Sequence, residues 1–295
     1  LSLCVGLVSD KLSYSTNQQD IDVVLTNTCI VTQASIKDTY RVNSFEITNT
    51  GTLKIENPLK IKDATTIIQA KESIDISGRI KAGKDVSVVL LADAVDLSGA
   101  KISGKSLDIE SKLRVNISKS EINTRLNTNI SSLIINIDNS RITGQNVDIG
   151  SLTETNSLIY SKDSFIRTNQ LKGRVNLLGQ DVQACGKIIA PLGIVEASGS
   201  NNIDITGLRV DTIWGKKSGS FIIDPPTIDV TNAATVLTNL ESSNVTLKAS
   251  KQVNVGAPID RTGKNQTHSL IIDAPVINIK APIIGGRLVL TSINA

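Results

Sequence analysis

The sequence predicts an all-β chain wound as a right-handed parallel β-helix, and three observations carry that prediction. Near the end a short unit occurs twice: Val253-Asn-Val-Gly-Ala-Pro-Ile259 returns 24 residues later as Ile277-Asn-Ile-Lys-Ala-Pro-Ile283. Self-similarity at such a period marks one supersecondary unit stacked on the next. Several segments, among them Ser73-Ile-Asp-Ile-Ser77, Ser106-Leu-Asp-Ile-Glu110 and Asn202-Ile-Asp-Ile-Thr206, alternate strictly between apolar and polar, the period of a strand with one buried face. Finally, 40% of the 295 residues are hydrophobic but only 2% are aromatic. Ile, Val and Leu therefore fill the core, which suits a narrow interior whose layers repeat.

Taken in chain order, residues 1–25 read as an amino-terminal cap of the stack or as the remnant of a signal peptide, on the apolar run Leu1 to Val8. A lipoprotein cleavage site before Cys4 is disfavoured because the bulky Leu3 precedes the cysteine. With no Met and a first residue Leu1, the chain reads as a mature segment or a piece of something longer. From residue 73 the unit is plain. Aligning Gly78 with Gly99 gives a repeat of 21 residues, each glycine followed by strand, turn and strand. Three short strands in 20 to 24 residues make one coil, and about a dozen coils spaced by ~4.8 Å give a rod on the order of 55 to 60 Å. An antiparallel sandwich would want Asn-Gly hairpins, and the sequence has none. No segment sustains a capped helical period. Residues 26–45, 151–172, 209–221 and 260–268 interrupt the pattern and are expected to leave the rod as loops or mini-sheets, where such scaffolds carry specificity. The texture is otherwise uniform, so residues 1–295 are expected to form one elongated domain.

Charge narrows the partners. The 31 basic and 28 acidic residues give +3, scattered singly, with no basic stripe interleaved with aromatics, so nucleic acid is not an expected partner. No apolar run approaches the ~18 residues of a membrane span. Three cysteines, Cys4, Cys29 and Cys185, and a single histidine offer no zinc-site spacing, and no cofactor or metal is expected. Cys4 and Cys29 either form a disulfide or, with Cys185, serve as small buried hydrophobes.

The last quarter resembles a known family. Gly219-Ser-Phe-Ile-Ile-Asp-Pro-Pro-Thr-Ile-Asp-Val230, Thr238-Asn-Leu-Glu-Ser-Ser-Asn-Val-Thr-Leu-Lys-Ala249, the Val253 to Ile259 unit and Ala281-Pro-Ile-Ile-Gly-Gly-Arg-Leu-Val-Leu290 follow one another as in the shafts of filamentous-haemagglutinin-like exoproteins of bacterial two-partner secretion. The resemblance implies a β-helix, export to the bacterial surface through an outer-membrane secretion partner, and adhesion to a host-surface protein or glycan. The family's amino-terminal Asn-Pro-Asn motif is not matched, Glu56-Asn-Pro-Leu59 being the nearest sequence, so the resemblance implies a shaft segment.

β-Helices also house polysaccharide lyases and hydrolases, which place paired carboxylates on an exposed face. The acidic pairs Asp20 with Asp22, Asp93 with Asp96 and Asp224 with Asp229 fit that chemistry, but they fit outward positions of alternating strands more simply. Arg79-Ile-Lys81 resembles a polygalacturonase motif whose companion elements are missing. His268, the one side chain whose ordinary pKa suits a general base near neutrality, is expected in a solvated loop. Trp214, with Lys216 and Lys217, is the candidate partner-binding spot: exposed, it would anchor a sugar or protein; buried, it would cap the interior. Sequons at Asn116, Asn129, Asn244 and Asn265 are expected from composition alone. Asn, Ser and Thr on the outer faces suit hydrogen-bonded ladders between stacked coils. The sequence thus reads as a non-catalytic adhesin-type protein, secreted or on the cell surface. The alternatives are a carbohydrate-active β-helix enzyme and a capture protein for a host macromolecule that binds through residues 151–172.

Overall fold

The computed structural model describes residues 21–25, 29–31, 44–49, 51–56, 58–61, 65–262 and 267–292, with side chains from residue 51 onward. The amino-terminal cap or signal remnant, the Cys4–Cys29 pairing, the Asp20 and Asp22 side chains and Asn265 fall outside this description. The fold is a parallel β-solenoid of about 11 coils, 63% strand, with one helix among the described residues. Cα proximity divides the chain into two compact units, Leu1–Gln145 and Asn146–Ala295.

In the first unit the coils from Ser44 onward run through three faces. Face A carries Ser44–Asn49, Thr65–Ala70 and the leading halves of Val88–Ser98 and Leu107–Ser118. Face B carries Thr52–Ile55, Ser73–Ile76 and the trailing halves of those two long strands. The short strands of face C include Arg79–Ala82, Lys101–Gly104 and Glu121–Thr124. All these pairings are parallel, and apart from a bulge between Ser111 and Arg114 at the corner of the long strands they keep register, so identical chemistry stacks: Ile80, Ile102 and Ile122 form one inward column, and Asp75 lies opposite Asp96. The corner between faces B and C repeats as well. Gly99, Lys119 and Asn139 all take positive φ, and the next residue points a small side chain inward. Ser120 and Ser140 are buried there; the Ser120 Oγ accepts from Ala100 N at 3.0 Å and donates to the Leu97 carbonyl at 2.8 Å, and Ser140 Oγ accepts from Ser120 N at 3.1 Å. Buried hydroxyls thus satisfy backbone groups that the corner takes out of the ladder.

In the second unit the same three faces recur. Face A is continuous through Arg174–Ala184, Ile194–Asp204, Ser220–Asp224, Asn244–Lys248, Ser269–Asp273 and Arg287–Thr291. The duplicated sequence unit stacks on itself: Val253 pairs with Ile277, Asn254 with Asn278, and Ile259 with Ile283. Asn278 Nδ2 donates to Asn254 Oδ1 at 2.7 Å and Asn254 Nδ2 to Asp229 Oδ1 at 2.6 Å, a polar ladder between coils.

Three sequence expectations are corrected. Residues 151–172 are not an insertion. They contain Ser157–Tyr160 and Phe165–Thr168, strands of the solenoid wall whose Leu158, Tyr160 and Ile166 lie in the core, with Tyr160 Oη donating to the Lys187 carbonyl at 2.7 Å. Of the charged residues there, Glu154, Lys162, Asp163 and Lys172 occupy turns, and Arg167 points outward from the strand Phe165–Thr168. A helix, α1 (Ala234–Leu240), stands where none was expected. It is too short for a sustained period and has no side-chain cap, no acidic first turn and no basic last turn. His268 is buried, 5% exposed, rather than solvated, because its Nδ1 hydrogen bonds the Leu240 carbonyl at the end of α1 at 2.9 Å.

Candidate binding site

The regular pattern breaks between residues 199 and 243. Just after the face C strand Arg209–Asp211 the chain leaves the wall as an antiparallel hairpin, Ile213–Trp214 with Lys217–Ser218. Gly215 at φ +61° opens its two-residue loop, the place a II′ turn reserves for glycine. Its base is fixed on both sides. Thr212 is buried, its hydroxyl 3.1 Å from Ser243 Oγ, and its carbonyl accepts from Leu192 N at 2.8 Å and Gly219 N at 3.2 Å. Gly219 admits no side chain, since a Cβ there would stand 1.9 Å from the Gly193 carbonyl oxygen. The tip is open: Trp214 is 57% exposed and Lys216 and Lys217 are exposed beside it. Of the two sequence readings of Trp214, the buried cap does not hold.

On the far side of the same coils the stack forks. Ile194–Asp204 and Ser220–Asp224 pair on face A, but the strands that continue them on face B, 202–204 and Thr227–Val230, pair with outer neighbours and not with each other. On face C, α1 stands in for a strand between Arg209–Asp211 and Ile259–Asp260. Asn239 performs the edge pairing that a strand would have made: its Oδ1 accepts from Val210 N at 2.6 Å and its Nδ2 donates to the Leu208 carbonyl at 3.0 Å. Ser242 Oγ and Ser243 Oγ donate to the Val210 carbonyl. On the other side of the helix, Arg261 donates to the His268 carbonyl at 2.7 Å while burial pushes its pKa down. The helix is thus held by buried polar side chains at both neighbouring coils, and the fork leaves two adjoining cavities of about 210 and 250 Å³ between residues 203–209 and 225–238.

The remaining candidates are scattered. Asp224 is held by Lys248 at 2.6 Å on face A, whereas Asp229 lies on the lip of the fork. Asp93 accepts Lys112 at 3.1 Å in a groove of about 550 Å³ in the first unit, shared with Lys71 and Glu110; Asp96 stacks on face B. Arg79 and Lys81 point outward from a wall strand. Asn116 and Asn129 are members of ladders, bonded to Asn136 at 3.0 Å and Asp108 at 2.5 Å, and Asn244 bridges to Ser218 and Ser269. Cys185 is a free thiol beside the Tyr160 carbonyl. Trp214, Lys216 and Lys217 share one hairpin and do not line the fork. Among the described residues no helix is long and apolar enough to cross a membrane. No protein-family model, curated protein or solved structure matches the chain.

Proposed function

We propose that this chain is a non-catalytic adhesin-type binding protein, secreted or carried on the bacterial surface, of the filamentous-haemagglutinin-like kind. In this reading it engages a host-surface glycan or protein through the Trp214 hairpin. The observation that supports it is the exposed Trp214 beside Lys216 and Lys217 on a hairpin whose base is pinned by buried Thr212 and side-chain-free Gly219. A large apolar surface held out of the core costs free energy unless it is covered, and a rigid base limits the entropy lost when a partner covers it. Two ammonium groups beside the indole suit a partner bearing carboxylates or sulfates. The test is binding of labelled protein to host cells and to immobilised acidic glycans. Trp214→Ala is expected to weaken it by about 30-fold, the scale of an interface hot spot, and the Lys216→Ala/Lys217→Ala pair to reduce its salt dependence. Unchanged binding by Trp214→Ala sinks the reading.

One observation favours a second reading, a carbohydrate-active β-helix: the groove in the first unit brings two carboxylates, Asp93 and Glu110, together with Lys71 and Lys112. Depolymerisation of an acidic polysaccharide, abolished by Asp93→Asn or Glu110→Gln, would establish it. No turnover of any acidic polysaccharide tested would dismiss it.

A further inference from the structure

We infer that the fork on face B of the second unit is a receptor slot for an extended peptide in which apolar residues alternate with basic ones. The backbone supplies the first argument. Pro226 and Val230 carbonyls accept from the following coil, from Lys251 N at 2.8 Å and Gly256 N at 3.0 Å. Because successive residues of a strand address opposite neighbours, Pro225, Thr227 and Asp229 address the preceding coil; Pro225 has no N–H to begin a ladder there, and the Asp229 carbonyl already accepts from Thr231 N at 3.0 Å, which leaves Thr227 and the Asp229 N–H to pair. Across the gap, the lower edge of 202–204 likewise has no partner strand among the described residues. Two strand edges therefore bound the slot, and an added strand can hydrogen bond to either of them.

Side chains supply the second argument. Ile203 continues the column of Val182, and Ile228 continues that of Val253. Val182 and Val253 are 2% and 0% exposed, yet Ile203 and Ile228 are each partly exposed, because the fork opens their inward column to solvent. An apolar side chain entering in this register would cover both.

Charge selects the occupant. One residue further along each strand, Asp204 and Asp229 stand exposed on the two lips, in a column whose outer neighbours are Gln183 and Asn254. In the first unit the comparable pair, Asp75 and Asp96, is stacked directly, with Lys54 opposite Asp75 to offset the repulsion. The column at the fork has no such cation. A lysine or arginine that follows the apolar residue of the bound peptide lies between Asp204 and Asp229 and supplies it.

The probe is the dye-labelled peptide Ser-Ile-Lys-Val-Lys-Ser, read by fluorescence anisotropy against the whole chain. Saturable binding is expected, with new amide protection at Thr227 and Asp229, whose N–H groups face the slot, in hydrogen exchange. Asp204→Asn/Asp229→Asn should weaken it about fivefold, the scale of two exposed ion pairs. These carboxylates are exposed, so circular dichroism should match the unsubstituted protein. The peptides Ser-Ile-Glu-Val-Glu-Ser and Ser-Ser-Lys-Ser-Lys-Ser should each bind more weakly still. Trp214→Ala should leave this binding unchanged, which separates the slot from the hairpin. The inference is overturned if no peptide binds, if the glutamate peptide binds as well as the lysine one, or if the double Asn variant binds as before.

Discussion

The coils of the first unit from about residue 73 to 145 and those around the fork at 199–243 are built from the same kinds of residue, yet the first close and the second open. In the first, inward columns such as Ile80, Ile102 and Ile122 run unbroken, and corner serines satisfy backbone groups that the turns release. At the fork, Ile203 and Ile228 are as apolar and as well placed in their strands, but the ladder that should join them is absent. The lesson is that local alternation makes a strand, while closure of a coil depends on what the neighbouring coil offers: donors, compensating charge and matched layers. Two prolines at 225–226, two aspartates in one column and a helix in place of a face C strand remove these together.

The sharpest way to break the comparison is to make one substitution on each side of it. Ile109 is 1% exposed in a closed layer, and Ile109→Ala should cost about 2–5 kcal/mol, since the transfer of the lost methyl groups is joined by the cavity left behind. Ile228→Ala at the partly exposed fork should cost about 1 kcal/mol, because water already reaches that side chain and can fill the space. Urea titration of both variants measures the difference. Equal losses would mean that the fork is closed in solution.

The same contrast marks what the sequence could reveal. Alternation and the repeated Val253–Ile259 unit made the parallel stack legible, down to Asn254 over Asn278, because each depends on neighbours in sequence or on a fixed period. The Trp214 hairpin was legible as an interruption at 209–221, although the sequence favoured burial of the indole as an interior cap and its exposure follows only from its place in the fold. The fork was not legible: Asn202-Ile-Asp-Ile and Thr227-Ile-Asp-Val are each good strand sequences, and the defect lies in their failure to pair across two coils. For the same reason α1 and His268 were misread. The helix is held by Asn239 contacts about 30 residues back, and His268 is buried by a carbonyl 28 residues away.

Asn239 gives the next largest expected effect. Asn239→Ala removes the acceptor of Val210 N and the donor to the Leu208 carbonyl inside a buried site, so two backbone groups lose their partner. Leaving buried polar groups unsatisfied costs about 1–3 kcal/mol each, and a loss of about 2 kcal/mol or more is expected. The ladder residue Asn136, partly exposed and bonded to Asn116, has water as an alternative partner, and Asn136→Ala should cost about 1 kcal/mol or less. Hydrogen exchange provides an independent check: the Val210 amide should lose protection in Asn239→Ala and keep it in Asn136→Ala. If both asparagines cost the same and Val210 stays protected, α1 is held by packing and not by this side chain.

The smallest effect concerns charge on the intact face A beside the fork. The hydrogen bond that Lys248 donates to Asp224, opposed by burial and helped by the charges of Asp224, Glu196 and Asp273, raises the Lys248 pKa above the ordinary lysine value. A cation held this way stabilises the fold fully below the ordinary lysine pKa, and the contribution fades as pH rises through the raised value, when the folded state also releases its proton. Both side chains are partly exposed, so screening limits the pair to about 1 kcal/mol or less. Lys248→Met should therefore be slightly less stable than the unsubstituted protein at neutral pH, equal to it at strongly alkaline pH, and insensitive to the 1 M salt that weakens the pair. Such a variant leaves Asp224 without its cation on face A, as Asp204 and Asp229 are without one on face B. If charge helps to part the coils, hydrogen exchange at Ile222 and Ile223 should rise in Lys248→Met at neutral pH. If those amides stay as protected as before, loss of a cation does not part the coils, and the parting at the fork rests on Pro225, Pro226 and the helix that replaces a face C strand.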